Sequence, residues 1–193
     1  MADAGDLSME DAPSDPFAIL GIPRAFQLSR DAVEAAYLVR ASKLHPDLAS
    51  GDASATAAAA QQMAELNAAR STLLNNEMRA NVLAALAGVP PATACRDLPD
   101  GFLMDMMQTR LELEEAVQSE DAPEIDRWHA WATERRGEYA ARFASLLAGV
   151  DGQADSDGDA PDADAARSVR EHLNAWRYIE RLAAQLRSRG ALR

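Results

Sequence analysis

The chain has 193 residues, a single cysteine and a formal net charge of −12. That acidity argues against phosphate-backbone binding, which needs a concentrated basic surface, so a protein partner is expected and nucleic acid is not. Cys95 alone excludes an intrachain disulfide, and without a Cys/His cluster at zinc spacing no metal ligand is expected.

Much of the 48% apolar content is alanine and aromatic residues make up 5%, which predicts an all-α protein. Residues 1–15 carry five acidic and no basic side chains, so 1–14 are expected to form a disordered tail. That stretch lacks the basic and apolar regions of a signal peptide. Nowhere do about 18 apolar residues run together, so a cytoplasmic protein that neither enters nor crosses a membrane is expected.

Asp15-Pro16 predicts an N-cap and first helical residue, opening a short helix to about Leu20 that Gly21 and Pro23 stop. Ser29 caps a second helix, with Val33, Tyr37, Arg40 and Leu44 on one side. His45-Pro46 ends it, because the proline ring disfavours the α conformation for the residue before it. Residues 48–54 are expected to be loop. An alanine-rich helix follows over about 55–74, and its Met63, Leu66 and Leu73 stripe can pack on the Tyr37 stripe as an antiparallel hairpin. His45-Pro46-Asp47 would then sit at the hairpin tip.

A further helix, roughly 77–87, ends at Gly88 and completes a first domain of residues 15–87. Residues 88–99 form a Pro-marked connector. Beyond it, helices over about 100–119, 122–148 and 162–189 predict a three-helix bundle over 100–193. Gly149 is expected to stop the middle helix, and an acidic loop follows at 150–161.

Pro46 holds the tip loop in one backbone geometry, and Asp47 offers a carboxylate to an arginine of a partner. Asp15-Pro16-Phe17-Ala18-Ile19-Leu20-Gly21-Ile22, the helix ending at Leu44, His45-Pro46-Asp47 and Leu66-Asn67-Ala68-Ala69 with Leu73 together resemble a J-domain. The resemblance implies a partner, a DnaK-class ATPase whose ATP hydrolysis the loop accelerates. It also carries His45, Pro46 and Asp47 over as contacts, with Arg40 and Lys43 as basic candidates. Leu48 stands where the family often has lysine, Arg70 replaces a usual aromatic, and Asp31 and Glu34 dilute the basic face.

Gly21-Ile22-Pro23, Met78-Arg79-Ala80, Phe102-Leu103-Met104-Asp105 with Arg110, and Trp176 to Leu182 resemble the iron–sulfur co-chaperone family known as HscB. That resemblance implies an HscA-like chaperone and an IscU-like scaffold protein as partners. At about 100° per residue, Phe102, Met106, Leu113 and Val117 form a core stripe, leaving Leu103 and Met107 on a neighbouring face. On the last helix Val169, His172, Trp176, Ile179, Ala183 and Leu186 form the stripe; Tyr178 projects away from it, with Leu182 between. In the resembling family the matching positions hold the scaffold, so Leu103, Met107 and Tyr178 are the client candidates, with Arg110 beside them.

His129 and His172 read as packing or surface residues. Asp155-Ser156-Asp157-Gly158-Asp159 is an acidic linker, since a calcium loop would need glycine where Ala160 stands. Cys95 reads as an unreactive thiol. No catalytic residue and no cofactor are expected, and the chain is expected to be a monomeric co-chaperone. A J-domain protein for another client, or a helical interaction protein with an incidental His-Pro-Asp, are the alternatives.

Overall fold

The computed structural model describes residues 15–44, 53–119, 121–154 and 162–190, which form seven α-helices and a 3₁₀ turn, with no strand among the described residues. The chain divides into one unit through Asn75 and another from Asn76.

In the first unit, α1 (Pro16–Leu20) begins where the Asp15 carboxylate accepts the Phe17 N–H at 2.9 Å. It ends at Gly21, whose φ of +63° is a left-handed geometry that glycine adopts without a Cβ penalty. Ser29 caps α2 (Arg30–Ala41) by accepting the Ala32 N–H at 3.1 Å. The α-helix closes at Ala41, and Ser42–Leu44 tighten into a 3₁₀ turn where the sequence pattern predicts α-helix to Leu44. The cause is Pro46: it has no N–H to give the Ser42 carbonyl, so the last turn contracts. Helix α3 (Ala53–Leu74) packs on both, burying Phe17, Leu20, Val33, Leu66, Ala69 and Leu73, with Met63 half-buried.

A polar clamp joins α2 to α3. Arg70 makes a bidentate pair with Glu34, Nε to Oε2 at 2.6 Å and Nη2 to Oε1 at 2.7 Å, and lies 5.0 Å over the Tyr37 ring. The Tyr37 hydroxyl donates to Asn67 Oδ1 at 2.9 Å. The Arg70 hydrogen bond holds the Glu34 carboxyl below its ordinary pKa. Two departures from the J-domain pattern, Arg70 and Glu34, are thus partners in one contact.

The second unit contains α4 (Asn76–Leu86), α5 (Phe102–Ser119), α6 (Ala122–Ala154) and α7 (Ala163–Gly190). Helix α4 was expected with the first domain, but its contacts are with α7 and α6. Ala80, Leu83 and Ala84 are buried, and polar bonds reinforce that choice. Glu77 Oε1 accepts Arg177 Nε at 3.2 Å, while Arg170 donates to Asn81 Oδ1 at 2.8 Å and to the Pro90 carbonyl at 2.7 Å. The connector is held too, since Asn174 Nδ2 donates to the carbonyls of Cys95 and Asp97 at 3.1 and 3.0 Å. The three-helix bundle of the sequence reading therefore has a fourth member.

Helix α5 starts at Phe102, two residues after the expected Asp100, because Gly101 has a φ of +78°. Helix α6 runs through Gly149 to Ala154, past its expected stop. A glycine inside a helix costs only about 1 kcal/mol relative to alanine, and it terminates one when it turns left-handed, which Gly149 does not do. The acidic run 155–161 and the tail 1–14 lie outside the described residues.

His172 on α7 is buried; its ring stacks on Tyr139, 4.7 Å between centroids, and Nε2 donates to the Tyr139 carbonyl at 2.8 Å. Burial lowers its pKa from the ordinary 6.5. The unfolded chain therefore takes up a proton that the folded chain refuses, and this contribution to stability, complete above pH 6.5, is lost as pH falls below it. His172→Gln keeps an N–H donor without titrating. Thermal melts at about pH 7.5 and 5.5 should show a smaller acid-induced drop in this variant than in wild type; equal drops would refute the assignment.

Candidate functional site

Two surfaces carry the candidate residues. In the first unit, Arg40 and Lys43 both line a groove of about 690 Å³ between the helices, walled by Leu20, Val39, Leu44 and Leu66. Arg40 does not project freely: its guanidinium lies across Gly21, where a Cβ would collide with it. Lys43 stands in the 3₁₀ turn, exposed, at the end of α2 that leads into the loop. His45, Pro46, Asp47 and Leu48 lie outside the described residues.

In the second unit, α5 shows two faces. Phe102, Met106, Leu113 and Ala116 are buried and Val117 packs at the edge, which matches the predicted stripe. Leu103 and Met107 are exposed as expected. Met104 and Leu111, which the wheel reading did not select, join them, the four being 53% to 73% exposed. Leu103, Met107 and Leu111 follow at i, i+4 and i+8, so all four fall on one side of the helix. The omitted pair was legible, because both lie off the core arc.

On α7 the reading needs correcting. Leu182 is buried in the core, and Tyr178 is half-buried with its ring edge-on to Phe102, centroids 5.9 Å apart. Tyr178 therefore flanks the α5 face and does not stand clear of the bundle. Arg110 connects the two. Its Nε donates to Glu114 Oε1 at 3.0 Å, and that bond together with the Glu114 charge raises its pKa, with a smaller contribution from Tyr178. The surface is thus an apolar ridge bounded by a fixed guanidinium and a phenol, suited to a partner with its own apolar patch.

Among the described residues, no group of three His, Cys, Asp or Glu side chains could hold a metal ion. None of their helices is long and apolar enough to cross a membrane. Cys95 Sγ donates to the Asp97 carboxylate at 3.7 Å.

Residues 15–82 match the DnaJ domain, and residues 98–187 match the HSCB C-terminal oligomerisation domain. A co-chaperone protein HscB homolog of Bordetella petrii is 32% identical over 177 residues, covering 91% of this chain and 95% of the relative. The chaperone HscB from Vibrio cholerae superposes with a TM-score of 0.68 at 22% identity, over 90% of this chain and 96% of that one. The human co-chaperone protein HscB gives 0.71 at 20% identity, over 92% and 82%. At those identities the two structures show a common fold.

Proposed function

Because this chain belongs to the HscB family of J-domain co-chaperones, we propose that it binds a DnaK-class, HscA-like ATPase through His45, Pro46, Asp47 and Lys43. Through the α5 ridge it delivers an IscU-like iron–sulfur scaffold protein to that ATPase. Members of this family are not catalysts; the chemistry is the partner's ATP hydrolysis, and the chain needs no cofactor. The proposal places it in the cytoplasm.

The observation that carries the reading is the His-Pro-Asp tripeptide directly after α2 and its 3₁₀ turn, within the matched DnaJ domain. A carboxylate at Asp47 accepts a bidentate arginine bond from the ATPase, a charge-assisted contact worth about 1.5–3 kcal/mol. Arg40, exposed near the end of α2 with its guanidinium against Gly21, stands beside Lys43 as the second basic contact. Leu103, Met104, Met107 and Leu111 supply the client contact, with Tyr178 and Arg110 at its border; methionine suits a surface that must fit a partner.

Asp47→Asn should reduce stimulation of the ATPase at least about tenfold while leaving helix content and melting temperature unchanged. Equal steady-state rates with the two proteins would overturn the mechanism.

A further inference from the structure

We infer that the acidic segment 3–11 of this chain docks in the groove between α1, α2 and α3, with its carboxylates on Arg40 and Lys43, and competes there for those two cations with the ATPase. The docking does not depend on the proposed function; its effect on the ATPase does.

The groove holds the unpaired positive charge of the first unit. Arg24 pairs with Asp15 at 2.9 Å, Arg30 with Glu34 at 3.6 Å and Arg70 with Glu34 at 2.6 Å. The two remaining basic side chains of that unit, Arg40 and Lys43, have no carboxylate partner among the described residues, and both are exposed and line the groove. Glu65 lines it too and accepts Gln61 Nε2 at 3.3 Å, so two cations face one carboxylate. Ile19, Leu20, Val39, Leu44 and Leu66 add apolar wall. Such a groove takes an acidic segment that carries apolar residues between its charges.

That chemistry stands just ahead of α1. Asp3, Asp6, Glu10 and Asp11 flank Leu7 and Met9, with no basic side chain among them. The segment leads into Asp15, the cap of α1, and Ile19, Leu20 and Gly21 at the far end of α1 line the groove. At 1.5 Å per residue Asp15 and Gly21 are about 9 Å apart. Four extended residues reach about 13 Å. Asp11 therefore reaches Arg40, whose guanidinium lies across Gly21, and Leu7 and Met9 reach the apolar wall.

Attachment to α1 makes weak contacts sufficient. A tethered segment has an effective concentration on the order of 1 mM, so an intrinsic affinity of about 0.5 mM fills the groove about two-thirds of the time. Exposed ion pairs are individually weak and screened by salt, which suits a cover that a partner displaces.

The test records backbone amide NMR spectra of the full chain, as wild type and as Asp3→Asn/Asp6→Asn/Glu10→Gln/Asp11→Asn, at about 50 and 500 mM KCl. Neutralising the segment should shift the signals of Gly21, Arg40 and Lys43 and leave those of Leu173 and Ile179 in place. Raising the salt should move the wild-type groove signals in the same direction, and the shifts should be identical at about 0.05 and 0.5 mM chain, since the docking is intramolecular. Groove signals that stay in place overturn the inference, and so do shifts that grow with chain concentration, which give the groove to the segment of a second copy. With the DnaK-class ATPase, the neutralised variant should lower the half-saturating concentration about threefold by freeing Arg40 and Lys43. An unchanged value beside a stimulating wild type overturns the competition. A wild type that stimulates nothing removes the proposed function and leaves the spectra to decide the docking.

Discussion

Trp176→Ala is expected to cost the second unit about 3–5 kcal/mol, the range for deleting a buried aromatic side chain. Trp176 is fully buried on α7, with ring centroids 6.3 Å from both Phe143 and His172. Its Nε1–H donates to Glu180 Oε1 at 3.3 Å, the same oxygen that accepts Arg136 Nε at 2.7 Å from α6. Truncation would leave a cavity between α6 and α7 and remove one of two donors to that carboxylate. A loss of this size lowers the melting temperature of a unit this large by roughly 10 °C or more. Circular dichroism melts of the full chain measure it, and a drop of under about 5 °C would show that the surroundings collapse into the space.

The second large effect should appear in binding with no change in folding. Leu103→Ala, Met107→Ala and Leu111→Ala together are expected to weaken affinity for an IscU-like scaffold about a hundredfold, near 3 kcal/mol. Each side chain is exposed, so the folded chain loses no packing and its melting temperature should stay within about 2 °C. Calorimetric titration of the scaffold decides. Unchanged affinity with an unchanged melt would move the client surface off α5. The two experiments form a contrast, since Trp176 and Met107 are both large apolar residues on bundle helices and differ in which side of the helix they occupy.

Much of the first unit was legible because its signals are local. Asp15-Pro16 and Gly21 bracket α1 through hydrogen bonds within a few residues, and Ser29 caps α2 in the same way. The α5 core stripe was equally legible, since a helix 18 residues long repeats its pattern often enough to define an arc. Met104 and Leu111 could have been read from that same arc.

Other features depended on contacts distant in sequence. Gly149 carries an end signal, yet left-handed geometry is an option for glycine and not an obligation, and α6 continues. Tyr178 lies off the stripe of its own helix, but Phe102, 76 positions earlier, half-buries it.

By itself, the order of residues determined the all-helical class, the starts of α1 and α2 and the His-Pro-Asp tripeptide behind α2. Each follows from backbone preference, capping or periodicity acting over one or two turns. Tertiary structure alone decided that α4 packs on α7, that Arg40 covers Gly21, that Glu34 and Arg70 are one clamp, and that Leu38 and Val39 stay exposed. These outcomes depend on which side chains meet across the fold. A charge or an apolar residue has the same local signature whether a distant partner satisfies it or leaves it for another molecule.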